Sequence, residues 1–102
     1  MILNIYAYLN KALGCYSTPQ FDDHDDKAVV VAVTRQIKQA FVNNKPTDEL
    51  ERLEFHKLGT FDDVTGELKH DNVCLLDCGG IICGFKRQLE EEKSLGDKNN
   101  EQ

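Results

Sequence analysis

The sequence predicts an α+β domain: a small antiparallel sheet in ββαββ order with one helix packed on one face. Three observations carry that prediction. Apolar and polar residues alternate over residues 2–9, and apolar residues recur at three- and four-residue spacing over residues 24–42. Between residues 52 and 77, two alternating stretches flank a run of turn-forming residues.

In the opening stretch Leu3, Ile5, Ala7 and Leu9 share one face, and Asn4, Tyr6 and Tyr8 share the other. That period of two marks a half-buried strand. Asn10-Lys11-Ala12-Leu13-Gly14 reads as a hairpin loop, with Gly14 free to take a positive φ. A second strand is expected at about 15–20, ended or pushed to an edge by Pro19, which has no ladder donor. The helix of about 24–42 carries Val29, Val30, Val33, Ile37, Ala40 and Phe41 on one arc. The acidic run Asp22-Asp23-His24-Asp25-Asp26 precedes it and reads as an N-terminal cap rather than a metal site. Its spacing does not reproduce a calcium loop.

Pro46 closes the helix. Residues 47–51 form one short turn, and a strand follows at about 52–58 with Leu53 and Phe55 opposite Arg52, Glu54 and His56. Asp62-Asp63 and Thr65-Gly66 supply turn chemistry, and a further strand is expected at about 73–77. Gly79-Gly80 is expected to turn the chain into Ile81-Ile82-Cys83. This makes residues 1–85 one domain and 86–102 a charged, disordered tail, since Gly96 to Gln102 has nothing to bury. Tyr6, Tyr8 and Tyr16 are expected on the exposed sheet face, where a partner could meet them.

The 102 residues hold 40% hydrophobic and 29% charged residues, a balance suited to a single globular core. Twelve basic against 18 acidic residues give a formal charge of -6, which disfavours attachment to nucleic acid by bulk charge alone. The start lacks a basic, then apolar, signal-peptide pattern, and no run of about 18 apolar residues offers a membrane span. The expected state of Cys15, Cys74, Cys78 and Cys83 is therefore reduced.

Cys74, Cys78 and Cys83 with His70 could supply four zinc ligands, but their spacing is not that of paired zinc knuckles. Set among Val, Leu and Ile, they read as small core residues, and neither metal nor cofactor is expected. His24, His56 and His70 lie far apart, no Ser sits in a nucleophile elbow, and no Gly-rich phosphate loop follows a strand. Asp22/Asp23 and Asp62/Asp63 serve more simply as cap and turn than as a two-metal site, so no enzyme is expected. On the predicted helix Lys27, Arg35 and Lys38 cluster away from the apolar stripe. Such a stripe holds phosphates by charge while strand aromatics such as Tyr6 and Tyr8 stack bases.

The segment Leu53 to Leu68, with Leu58-Gly59-Thr60-Phe61-Asp62 and Thr65-Gly66 at its centre, resembles the small nonstructural proteins of gokushovirus-type Microviridae. These are phages with circular single-stranded DNA. Asn4-Ile5-Tyr6-Ala7 is similar to the family's opening strand, and Pro19-Gln20-Phe21 before an acidic cap and helix also fits. The resemblance covers about residues 3–69. It implies a non-enzymatic protein of the host cytoplasm acting in replication or packaging of a single-stranded DNA genome. Contact with single-stranded DNA, or with viral replication or capsid proteins, follows from it. Lys27, Arg35 and Lys38 are the expected phosphate contacts, and Tyr6 and Tyr8 the stacking ones. The alternative is a homodimeric interaction module that binds a viral or host protein without touching DNA or membrane.

Overall fold

The computed structural model describes residues 1–100, with side chains through residue 93. The chain is α+β, with a five-stranded antiparallel sheet and helices. Its elements are β1 (Ile2–Asn10), β2 (Cys15–Tyr16), β3 (Gln20–Asp22), α1 (Asp26–Val42), α2 (Asp48–Glu51), β4 (Leu53–Asp62), β5 (Leu68–Asp77) and α3 (Cys78–Asn100). Strand β1 is central. It pairs with β2 and β3 along one edge and with β4 along the other, and β5 completes the sheet beyond β4.

The predicted second strand is two short ones, because Pro19 interrupts the ladder between them. In the loop after β1, the Asn10 carboxamide oxygen accepts from the Ala12 and Leu13 amides, and Gly14 takes a φ of +68°. Helix α1 begins where the acidic run predicts. Asp25 is the N-cap, its carboxylate accepting from the Ala28 amide at 2.8 Å. Asp26, in the first turn, accepts instead from the Tyr6 hydroxyl at 2.8 Å and the Lys57 ammonium at 3.2 Å. Those two bonds tie the start of the helix to the sheet beneath it.

The end of the chain departs from the sequence reading. Residues 78–83 are helical, not a turn and strand. Cys78, Ile81, Ile82 and Phe85 follow a helical i, i+3, i+4, i+7 pattern. The Asp77 carboxylate accepts from the Gly80 amide at 3.3 Å, and this bond holds its carboxyl below the usual carboxylate range. Gly79 is required by packing: a Cβ there would lie 2.5 Å from the Glu51 carbonyl oxygen of α2. The helix continues through residues 86–100, the segment read as a disordered tail, and residues 86–93 are all exposed. Glu101 and Gln102, the end of that predicted tail, lie outside the described residues.

Two helices, rather than one, close the core. Tyr6, Val33, Ile37, Phe55, Cys78 and Ile82 form it, with Cys78 and Ile82 wholly excluded from solvent. Tyr6 and Tyr8 therefore belong to the covered face, which reverses the expected orientation of β1. A Tyr side chain buries more apolar area than an aliphatic one when its hydroxyl finds a partner, and Asp26 is that partner for Tyr6.

Strands β4 and β5 form one long hairpin whose register shifts twice along its length. The second irregularity, between Lys57 and Gly59, coincides with the shift in the β1–β4 ladder, so Leu58 is the extra residue of a bulge. Gly59 has a φ of +153°, and a Cβ at this position would strike the Lys69 backbone carbonyl. Gly59→Ala is expected to cost more than about 3 kcal/mol, lowering Tm by more than about 12 °C in a thermal melt. Gly14→Ala has a positive φ but open space around it, and is expected to cost only about 1–2 kcal/mol.

Candidate interaction surface

The face of the sheet turned away from the helices carries the aliphatic side of β1. Leu3 pairs with Phe61 on β4 and Ile5 pairs with Phe21 on β3, and cross-strand partners point the same way. The Phe21 and Phe61 rings meet edge to face across β1, their centroids 5.6 Å apart. Phe21 is 52% exposed, and Leu3, Ile5 and Phe61 are each partly exposed. These four side chains make one contiguous apolar patch with no helix over it.

Further along the same face stands a polar cluster. His56 is buried although no helix covers it, because the Tyr16 ring lies edge-on at 5.6 Å. Its Nδ1 is 2.7 Å from Asn72 Oδ1 and its Nε2 is 3.1 Å from Glu54 Oε1. The Asn72 amide donates to the Tyr16 hydroxyl at 2.8 Å. Cys74 is the cross-strand neighbour of His56. The period of two placed Glu54 and His56 on one face correctly. What the sequence did not show was that Tyr16, Asn72 and Cys74 arrive beside them from two other strands.

Lys27, Arg35 and Lys38 are exposed on α1, on the opposite side of the molecule from this patch. Lys27, Val31 and Arg35 follow one another at four-residue spacing, and Val31 is itself exposed. None of the three cations enters an ion pair among the described residues, whereas Lys57 is held by Asp26 and Lys86 by Glu51. The expected stacking partners are not beside them. Tyr6 is only 3% exposed, its ring stacked on Phe55 at 5.3 Å and its hydroxyl bonded to Asp26, so it offers no face to a base. Burial and the Asp26 carboxylate push its hydroxyl far above the ordinary range. Tyr8 is half-buried and its ring packs against Phe55 at 5.1 Å.

In the acidic run before α1, the exposed His24 ring sits 2.6 Å from Asp22 Oδ1 and 3.3 Å from Asp23 Oδ1. The Asp22 carboxylate raises the His24 imidazole above its usual value. Asp62 is occupied by its turn, accepting from the Val64 amide at 2.9 Å. No helix among the described residues is long and apolar enough to cross a membrane. No protein-family model, curated protein or solved structure matches this chain.

The four cysteines are unpaired and divide by environment. Cys78 is buried in the core, while Cys15, Cys74 and Cys83 are exposed. The sequence reads the three later cysteines as core residues: Cys78 fills the core, as expected, but Cys74 and Cys83 are exposed. Burial, and then the neighbouring Asp77 carboxylate, push the Cys78 thiol up to about 11. Alkylation of native protein near neutral pH is therefore expected to modify three thiols, with Cys78 reacting only after denaturant, as read by intact mass. Because the folded thiol holds its proton longer than the unfolded one, its contribution to stability is intact below pH 9.0 and is lost between there and about pH 11.

Proposed function

We propose that this chain is a non-enzymatic interaction module whose contact surface is the uncovered face of its sheet. The observation that carries the reading is the contiguous patch of Leu3, Ile5, Phe21 and Phe61. Large contiguous apolar patches on a free surface mark sites of protein association. The patch crosses three strands, so its shape is fixed by the ladder rather than by a mobile loop. A second copy meeting it about a two-fold axis would bury the same four side chains on both sides. The resemblance to small nonstructural proteins of gokushovirus-type Microviridae supports a setting in replication or packaging of a single-stranded DNA genome. In that setting the other partners are replication or capsid proteins.

Self-association is expected to depend on concentration in analytical ultracentrifugation. Phe21→Glu, at an exposed position, is expected to keep the circular dichroism of the fold. It should remove about 2 kcal/mol of association free energy, roughly thirtyfold in Kd. A chain that stays monomeric at every concentration, and whose partners captured from infected cells are unchanged by Phe21→Glu, overturns the reading.

Lys27, Arg35 and Lys38, exposed and without an ion-pair partner among the described residues, favour a second reading, contact with single-stranded DNA along α1. Stacking by Tyr6 and Tyr8 has no part in it, so binding rests on charge and is weak. Replacing all three cations by Gln is expected to flatten the salt dependence of oligonucleotide binding by about 2 in log–log slope, at about 0.7 for each phosphate no longer neutralised. Binding in fluorescence anisotropy with an unaltered slope excludes these residues as the contact.

A further inference from the structure

The polar cluster on the uncovered face gathers an imidazole, a carboxylate and a thiol from two paired strands. Asn72 presents its amide nitrogen to the Tyr16 hydroxyl, and so turns its oxygen to His56 Nδ1. With the amide so oriented, the Asn72 oxygen stands 2.7 Å from Nδ1 as an acceptor for that ring nitrogen. The other ring nitrogen then faces Glu54 Oε1 at 3.1 Å. Nε2 and that carboxylate oxygen are two ligand atoms that one cation can share.

Cys74 adds a third ligand atom. One ligating atom from each of Glu54, His56 and Cys74 lies within 4.8 Å of the other two. Zinc bonds of about 2.0–2.3 Å to nitrogen, oxygen and sulfur set tetrahedral ligand-to-ligand edges of roughly 3.3–3.8 Å. The 3.1 Å separation of His56 and Glu54 is already close to such an edge, and the exposed Cys74 thiol has only a weak contact to give up, its Sγ lying 3.8 Å from the Leu76 carbonyl oxygen. The supporting shell also has the form a metal site uses. A ligating imidazole donates its second N–H to an oxygen acceptor, which fixes the ring. Here Asn72 is that acceptor, and Tyr16 in turn fixes Asn72. All five side chains stand on paired strands, so the ligands are positioned by the ladder.

We propose that Glu54, His56 and Cys74 bind one thiophilic divalent cation, zinc in kind, through a carboxylate oxygen, Nε2 and a thiolate, leaving a fourth position open. Binding releases the Cys74 thiol proton to solvent as the metal–sulfur bond forms. The rival cluster, Asp22, Asp23 and His24, offers no sulfur, and of its three residues only Asp22 is even partly buried. Its short contacts belong to the loop that leads into α1. The site does not depend on association through the sheet, because all three ligands come from one chain.

Cobalt(II) titration of the reduced, metal-free, full-length chain tests this. One equivalent is expected to bind with a thiolate-to-cobalt charge-transfer band and the intense visible bands of a tetrahedral ion. Zinc should displace it, and zinc but not magnesium should raise Tm. Cys74→Ser, at an exposed position, is expected to abolish the charge-transfer band while the protein stays folded. Asn72→Ala is expected to keep the band and weaken affinity about tenfold. His24→Ala and the Cys15→Ser, Cys83→Ser double variant are expected to change neither. Absence of a thiolate band, a band that survives in Cys74→Ser, or one that disappears in His24→Ala overturns the proposal. A unit-stoichiometry site seen in the ultracentrifuge monomer keeps this test separate from that of the association surface.

Discussion

Tyr6 joins the two layers of the molecule at one point. Its ring stacks on Phe55 within the sheet, and its hydroxyl reaches across to Asp26 in the first turn of α1. Lys57, cross-strand to Tyr6, reaches the other oxygen of the same carboxylate. A buried hydroxyl with no acceptor would cost more than the ring gains by packing, so the Asp26 bond is the condition on which Tyr6 can be inside. Once Tyr6 is inside, the period of two puts Tyr8 inside and turns Leu3 and Ile5 outward. The side of β1 that is more aliphatic is thus left for the side that can be anchored to a helix.

That choice separates the surfaces available for recognition. The aromatics that remain accessible, Phe21 and Tyr16, lie on or beside the uncovered sheet face, and Lys27, Arg35 and Lys38 lie on the helix behind it. A single strand of nucleic acid gains most where stacking and phosphate contacts alternate along one groove. Here the two are on opposite sides of the sheet. The apolar patch and the Glu54, His56 and Cys74 cluster instead share a face, built on residues whose spacing the strand ladder fixes.

The elements visible in the sequence are those with a local physical cause. Asp25 caps α1, Asn10 and Gly14 shape the loop after β1, and Asp62 with Gly66 shapes the β4–β5 turn; all follow from side chains acting within a few residues. Orientation was not legible in the same way, because periodicity gives the spacing of a strand's two faces and not which is covered. The start of α3 was missed for a different reason. Gly79-Gly80 and the β-branched Ile81-Ile82 argue locally for a turn and strand, and the close approach to Glu51 that makes Gly79 necessary is a tertiary contact. The spacing of Cys78, Ile81, Ile82 and Phe85 was the available signal. For the polar cluster the only local trace was Glu54 and His56 two residues apart; Cys74 joins them through a register that includes a bulge.

The stretch from Leu58 to Gly66 shows how a structural motif and a contact residue can occupy one segment. Gly59 is fixed by the approach of the Lys69 carbonyl, Asp62 by the Val64 amide, Thr65 by accepting from the Glu67 amide at 3.2 Å, and Gly66 by a φ of +75°. Each of these is explained by the hairpin alone. Phe61 is not, since nothing in the turn requires an aromatic ring there. Its ring lies on the uncovered face, against Phe21 from a strand that enters the sheet forty residues earlier in the chain. The turn therefore sets the angle of the hairpin, and the hairpin delivers Phe61 to the patch. A hairpin rebuilt with the same turn and an aliphatic residue at this position would fold while losing the edge-to-face pair, so the requirement for Phe61 comes from the surface it completes.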